Sequence, residues 1–342
     1  MKYEDRLINI LKIMIFFSIF LAFAGQPSRA TAEVIKIGTL KLAQYGPAFI
    51  AKEKGYFAAE NLDADFIFFE SGEPTAVAVA SGDVDFAVMG TSGAVFNLGG
   101  QGVLRIIGGN HSEAPSFRSL GIVVANRAYA AGLTSYQGLA GHSVAVTQIG
   151  SPPHYGLAVI AEKYGLDFKS MRLLPLQSIP NEVTAVSGGQ ADVGLMPATA
   201  AIPAVQRGDM KLLGWMGDEA QWQLGVLLTS TKNATNRPEF VERYLRAYRK
   251  GTRAYHDAFT GPDGKRHDEA SAPEILAVLA KVTGQTPEQL ASGIVYADVD
   301  ARLNVKDVLH QIDWFKSQGM VKAEVDGQAM IDKRYVVPLP GS

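Results

Sequence analysis

Side chains that could hold a small molecule cluster at four points, each where a short apolar strand gives way to a helix. A helix N-terminus presents unpaired N–H groups and roughly half a unit of positive charge, which favours negatively charged ligand groups. Ligands of open α/β sheets gather beyond the carboxyl ends of strands, where such helices begin. The candidates are Lys41, Gln44 and Tyr45 at the first point, Gly90, Thr91 and Ser92 at the second, Gln148, Ser151 and His154 at the third, and Met196 and Pro197 at the fourth.

Four further candidates lie outside those points. Asn110 and His111 follow an apolar strand, Trp215 could stack on a flat ligand, and Asp218 could bind an ammonium group. Each candidate also has an ordinary structural interpretation, because hydroxyls cap helices, aromatic rings pack in cores and charged side chains are usually solvated. The sequence leaves both interpretations open.

The amino-acid composition argues against several classes of protein function. Lys+Arg 32 against Asp+Glu 34 gives a net charge of −2 over 342 residues, so we expect no nucleic-acid partner. Cys is 0, which removes disulfides, thiolate metal sites and a cysteine nucleophile. Because HExxH and GxSxG motifs are missing as well, we expect no catalytic residue, no metal and no cofactor. A hydrolase built on Ser and His is the alternative from a different class.

The N-terminus has the pattern of an export signal. Lys2, Arg6 and Lys12 are basic, an apolar run covers 13–25, and Ala30-Thr31-Ala32 offers small residues for cleavage. The apolar run is too short to span a bilayer comfortably. The sequence therefore predicts a signal peptide at residues 1–32 and a periplasmic location, with an uncleaved anchor as the alternative.

An internal repeat sets the architecture. Residues 45–55 match 155–165 at six of eleven positions, residues 78–94 match 185–201, and residues 120–124 match 224–228 more weakly. Three matches in the same order, with offsets of 110, 107 and 104, indicate a duplicated unit of alternating strands and helices.

The strands of each unit can be placed by their apolar runs. We expect strands at 34–39, 64–69, 85–89 and 103–107, and counterparts at 143–147, 171–176, 192–196 and 210–213. Segments 119–125 and 223–229 would cross between the units. The prediction is an α/β fold of two lobes built on parallel sheets, with lobe 1 at 33–120 and 225–342 and lobe 2 at 121–224. Tail helices at 238–259, 272–282 and 305–316 should pack on lobe 1.

Four sequence segments resemble those of a known protein family. They are "YGPAFIAKEKGYFAAENL", "AVASGDVDFAVMGTSGA", "LTSYQGLAGHSVAVTQIGSPPHYGLAVIAEKYGLD" and "LNVKDVLHQIDWFKSQGMV". In these segments the chain resembles the type II periplasmic binding proteins of the nitrate/sulfonate/taurine and thiamine-precursor family. The resemblance implies a monomer that closes on a solute between two lobes and delivers it to an ABC permease with its cytoplasmic ATPase.

The resemblance says less about the ligand. It implies a small anion or zwitterion, such as a sulfonate, taurine, nitrate or an aromatic carboxylate, with a thiamine-pyrimidine precursor as the alternative. Asp218 or Glu219 in the cleft would favour taurine. Aromatic walls from Tyr45, Tyr155 or Trp215 would favour a ring, and Lys41 with His154 facing inward without either would favour a plain anion.

Overall fold

The computed structural model describes residues 31–342. Residues 1–30 of the predicted signal peptide lie outside the described residues, so the signal peptide stays a prediction. Within residues 31–342, no helix is both long enough and apolar enough to cross a membrane.

The strands follow the predicted runs closely. They are β1 (Glu33–Thr39), β2 (Leu62–Phe68), β3 (Phe86–Gly90), β4 (Leu104–Gly109), β5 (His111–Glu113), β6 (Leu120–Ala125), β7 (Ser143–Val146), β8 (Arg172–Pro175), β9 (Val193–Pro197), β10 (Met210–Trp215), β11 (Trp222–Gln223), β12 (Gly225–Ser230) and β13 (Tyr296–Ala297).

Helices connect and cover the strands. They are α1 (Gly46–Glu53), α2 (Tyr56–Ala59), α3 (Gly72–Ser81), α4 (Gly93–Gly100), α5 (Asn126–Ala130), α6 (Pro152–Tyr164), α7 (Ile179–Ser187), α8 (Ala198–Gln206), α9 (Met216–Glu219), α10 (Thr231–Asn236), α11 (Pro238–Phe259), α12 (Ala272–Thr283), α13 (Pro287–Ser292), α14 (Val305–Ser317) and α15 (Gly327–Met330). Short 3₁₀ turns occur at Ala43–Tyr45, Tyr136–Leu139 and Phe168–Ser170.

The strands form two five-stranded sheets with the same plan. The first has the order β2-β1-β3-β12-β4, and the second, read from the matching edge, has the order β8-β7-β9-β6-β10. Each strand of the first sheet thus occupies the same place in the strand order as its counterpart from the repeat does in the second sheet. A duplicated unit requires this agreement. The fold is that of an α/β protein with two lobes.

The sheets are mixed, whereas the sequence predicted parallel sheets. β1 pairs with β3 and β7 pairs with β9 in parallel, as expected. β12 runs antiparallel to both β3 and β4, and β6 runs antiparallel to both β9 and β10. The reason is that β6 and β12 enter their sheets from the other lobe, in the direction opposite to strands connected by local helices.

A third, three-stranded sheet lies along the two crossings of the chain, in the order β11-β5-β13. β5 comes just before the chain enters the second five-stranded sheet, and β11 comes just after it leaves. The two segments pair antiparallel, with Trp222 opposite Glu113 and Gln223 opposite Ser112. The crossings are therefore held together as one short ribbon.

The tail helices begin and end within one residue of their predicted bounds. Helix α11 buries an aromatic stripe against the first sheet, where the Tyr244 ring stacks on Phe86 at 3.8 Å between centroids. The sequence predicts that the tail packs on lobe 1, and helix α14 contacts the second lobe as well. Its Trp314 ring lies 5.4 Å from both the His154 and the Tyr155 rings of α6, so α14 contacts both lobes.

The glycines that end the first helix of each unit adopt the left-handed conformation. Gly55 has φ 73° and Gly165 has φ 63°. A side chain is disfavoured at such an angle, and glycine is the usual residue where a helix stops this way. The two helices therefore end at nearly equivalent positions of the repeat, although α1 has 8 residues and α6 has 13.

Candidate ligand-binding site

A cavity of about 70 Å³ lies between the two sheets. Both lobes contribute to its wall, since the loop before α1 and the starts of α3 and α4 face the starts of α6 and α7. The lining residues are Leu40, Leu42, Gln44, Tyr45, Ser71, Gly72, Gly90, Ser92, Leu120, Thr147, Gln148, Ser151, Pro152, Pro153, Ile179, Glu182, Leu195, Pro197 and Leu224.

Direct contacts between the lobes close the cavity. The Gly93 N–H at the start of α4 donates to the Gly150 carbonyl at 3.0 Å. Gln148 Nε2 donates to Glu73 Oε2 at 3.4 Å. A Cβ atom added to Gly90 would lie only 2.6 Å from Pro152 Cγ, so the absence of a side chain there permits this approach. The structure is therefore a closed form.

The structure gathers about half of the predicted residues around this cavity. They are Gln44, Tyr45, Gly90, Ser92, Gln148, Ser151 and Pro197. They come from both lobes and from all four predicted points, because the repeat places equivalent strand ends on opposite sides of one cleft.

The hydroxyl groups of Tyr45, Ser92 and Ser151 differ in whether they can still form a hydrogen bond to a ligand. Burial raises the pKa of Tyr45 to about 12, so its hydroxyl stays neutral and can donate. Ser92 is the N-cap of α4, and its Oγ accepts from the Val95 N–H at 3.2 Å. The buried Ser151 Oγ has no hydrogen-bond partner among the described residues. Of the two serines, Ser151 is thus the one whose hydroxyl is free for a ligand.

Lys41 does not line the cavity. It is exposed, and its Nζ lies 6.0 Å from the centroid of the Phe68 ring. The side chain therefore fits the solvated interpretation that the sequence left open.

Asn110, His111 and Thr91 lie behind the wall and support it. Asn110 Nδ2 donates to the Gln44 carbonyl at 3.3 Å, and its Oδ1 accepts from the Tyr248 hydroxyl at 2.7 Å. The His111 ring packs edge-on against Tyr45, and burial lowers the pKa of His111 to about 3. The Thr91 hydroxyl donates to Gln311 Oε1 at 2.7 Å.

His154 and Met196 lie in the core of the second lobe. The His154 ring stacks on Phe168, and its Nδ1 accepts from the Gly150 N–H at 2.9 Å. Burial lowers the pKa of His154 to about 4, so the ring is neutral at pH 7. His154 thereby orients Gly150, whose carbonyl makes the closing contact.

Trp215 and Asp218 lie at the edge of the second sheet, away from the cavity. The Arg118 guanidinium sits over the Trp215 ring at 5.7 Å. Asp218 Oδ1 accepts from the Ser116 N–H at 3.4 Å. Both side chains therefore contact the first crossing of the chain.

Sequence reasoning missed Glu182 and the junctions that precede α3 and α7. The prediction considered four strand-to-helix points, but each unit has a further one, from β2 to α3 and from β8 to α7. The repeat could have indicated these junctions. At the offset of 107, Ser71 corresponds to Ser178, and both residues are N-caps.

A family model described as NMT1/THI5-like matches residues 43–263. The match covers more than half of the 342 residues and includes both sides of the cavity. The chain belongs to the NMT1/THI5-like family. No curated protein matches this family member significantly.

Solved structures share the fold of this NMT1/THI5-like protein. The alkanesulfonate-binding protein SsuA from Xanthomonas axonopodis pv. citri, bound to MOPS, has a TM-score of 0.69 at 19% identity, covering 90% of this chain and 99% of its own. The periplasmic nitrate-binding protein NrtA from Synechocystis PCC 6803 has a TM-score of 0.66 at 14% identity, covering 87% and 85%.

An enzyme also shares the fold, at a lower score. The desulfurization enzyme DSZB has a TM-score of 0.59 at 13% identity, covering 90% of this chain and 96% of its own. The two binding proteins thus superpose more closely than this enzyme does. At such identities the likeness establishes the periplasmic-binding-protein fold, within which both binding proteins and an enzyme occur.

Proposed function

We propose that this NMT1/THI5-like protein is the solute-binding component of an ABC uptake system. The observation that carries the proposal is the cavity itself, which is enclosed by both lobes and closed by contacts between them, Gly93 to Gly150 and Gln148 to Glu73. A receptor that must capture and then release a small solute needs such a site, because contacts from both lobes stabilise the closed state only when ligand is present.

The ribbon of β5 and β11 is the hinge in this proposal. It contains both crossings of the chain, so a rotation there separates the lobes without breaking either five-stranded sheet. The proposed lobes are 33–120 with 225–342, and 121–224. The closed form would present surfaces of both lobes at once to a membrane permease.

The remaining parts of the proposal follow the relatives. A signal peptide at residues 1–32 would export the chain to the periplasm, where it would act as a monomer and deliver solute to a permease with a cytoplasmic ATPase. The named ligands of the relatives, alkanesulfonate and nitrate, suggest a small solute.

Thermal unfolding of the purified protein tests the proposal. The protein is freed of bound solute by unfolding and refolding, and is then screened against small amines, zwitterions, neutral compounds and anions. We expect a saturable rise in Tm with at least one compound, since binding to the folded state alone stabilises it by mass action. Small-angle scattering should show a smaller radius of gyration with that compound.

Two outcomes would overturn the proposal. One is that no compound raises Tm in any of the four classes. The other is that a stabilising compound is consumed during incubation, as mass spectrometry would detect, which would favour an enzyme on the same fold.

A further inference from the structure

The cavity contains a carboxyl group without a partner. Glu182 lies in the first turn of α7, where its backbone N–H donates to the Ser178 carbonyl at 3.2 Å. The residue is 1% exposed and lines the cavity, yet neither carboxyl oxygen has a hydrogen-bond partner within residues 31–342. Burying a carboxyl group without a partner is costly, so a ligand is the natural source of the missing donor.

The repeat shows that the fold itself does not require this carboxyl. At the offset of 107, the counterpart of Glu182 in the first lobe is Thr75, which is also buried. The Thr75 hydroxyl donates to the Ser71 carbonyl at 2.9 Å, one turn earlier in its own helix. A residue at this place can therefore be satisfied locally, whereas Glu182 is not.

The rest of the wall is apolar or neutral. Leucine, isoleucine and proline side chains make up much of it, and Gln44, Gln148 and Ser151 add neutral polar groups. Among residues 31–342, no Lys, Arg or His lines the cavity. A plain anion would thus lose its hydration beside a carboxyl group, and no cationic side chain of the wall would compensate.

A ligand with an amino group would interact favourably with the Glu182 carboxyl, where a plain anion would not. Burial raises the pKa of Glu182 well above its ordinary value, because removal from water penalises the charged carboxylate. A nearby ammonium group would favour the charged form and supply two or three N–H donors. The hydrocarbon part of such a ligand would pack against the leucine side chains.

We propose that Glu182 is the specificity-determining residue of the cavity and that it binds an amino group, so that the solute is a small organic amine or amino zwitterion and not a plain anion. This inference rests on the proposed function. Ser151, whose buried Oγ also has no hydrogen-bond partner among residues 31–342, would bind a second polar group of the same ligand.

Matched pairs of probes with the same hydrocarbon part test the charge preference. The pairs are benzylamine with benzoate, n-butylamine with butyrate, and taurine with ethanesulfonate, each measured by the rise in Tm of the purified protein. We expect the nitrogen compound to stabilise the protein in at least one pair, and its anionic partner to have no effect.

Variants of Glu182 then test the residue itself by isothermal titration with the stabilising amine. Glu182→Gln should weaken binding about 10- to 100-fold, the range expected for a lost hydrogen bond to a charged group. Glu182→Asp keeps the charge and should retain part of the affinity. The matched control is Glu239→Gln, at an exposed carboxylate in the first turn of α11, outside the cavity wall and apart from the contacts between the lobes, which should bind nearly as the wild type does.

The Tm measured without ligand shows whether each variant folds as stably as the wild type. Glu182→Gln should not lower it, because the substitution removes a buried ionisable group. If Glu182→Gln fails to fold, the affinities of Glu182→Asp and Glu239→Gln for the stabilising amine are compared instead. Preference for the anion in the pairs, or amine binding that Glu182→Gln leaves unchanged, would overturn the role of Glu182 while leaving the proposed function intact. If no probe of any charge raises Tm, both proposals fail.

Discussion

Substituting Gly90 by alanine should selectively weaken the closed state. Gly90 ends β3 in the first lobe, and a Cβ there would lie 2.6 Å from Pro152 Cγ in the second lobe, closer than the 3.0 Å that real Cβ atoms respect. The proline ring opens α6 and cannot swing away as a flexible side chain would. Overpacking of this kind typically costs about 1–3 kcal/mol.

That cost falls on closure alone, because the two atoms separate when the lobes open. A loss of 1–3 kcal/mol from the closed state corresponds to a dissociation constant roughly 5- to 150-fold higher. Isothermal titration with a stabilising compound measures the affinity, and small-angle scattering measures how far the protein closes. The free energy of unfolding without ligand should be nearly unchanged.

Gly93→Ala is the matched control. Gly93 lies three residues further along, also at the interface between the lobes, but a Cβ there would meet its nearest atom at 3.6 Å, an ordinary contact. Its N–H, which donates to Gly150, is retained. The reasoning would be refuted if Gly90→Ala bound and closed like the wild type, or if Gly93→Ala lost as much affinity.

Two further predictions concern residues that lie outside the cavity. Lys41→Ala should change the dissociation constant for any ligand less than about twofold, because the lysine is exposed and does not line the cavity; a tenfold loss in titration would contradict the site described. Burial lowers the pKa of His154 from 6.5 to about 4, so the unfolded state binds more protons between those values and stability falls as the pH falls. The advantage of the wild type over His154→Gln in free energy of unfolding should shrink by about 3 kcal/mol from pH 6.5 to pH 4, as urea titrations at several pH values would measure; parallel curves for the two proteins would contradict it.

Much of the fold could be predicted because it depends on local patterns that occur twice. The strand β1 and the helix α11 begin and end within one residue of their predicted bounds, and the repeat correctly paired the strands of the two sheets. The antiparallel direction of β6 and β12 could not be obtained in this way. It depends on which lobe the chain has just left, and no local pattern records that.

The site was predictable at its strand ends but not in the orientation of each side chain. Gln44 and His154 occupy equivalent positions at the offset of 110, yet Gln44 precedes α1 and lines the cavity, whereas α6 begins two residues before His154. The earlier start turns the His154 ring toward Phe168 and Trp314 in the core. Glu182 was missed because a carboxyl in the first turn of a helix is common and usually reflects the helix dipole alone.

The contact of α14 with the second lobe gives the protein a built-in optical reporter. The chain has 3 tryptophans, and two of them, Trp222 and Trp314, lie against the Tyr155 ring at 5.1 and 5.4 Å between centroids. Trp314 belongs to the tail, and Tyr155 belongs to α6, whose first residues line the cavity. Intrinsic fluorescence should therefore follow the swing of the lobes in real time, so the rates of solute capture and release can be recorded on the unlabelled protein.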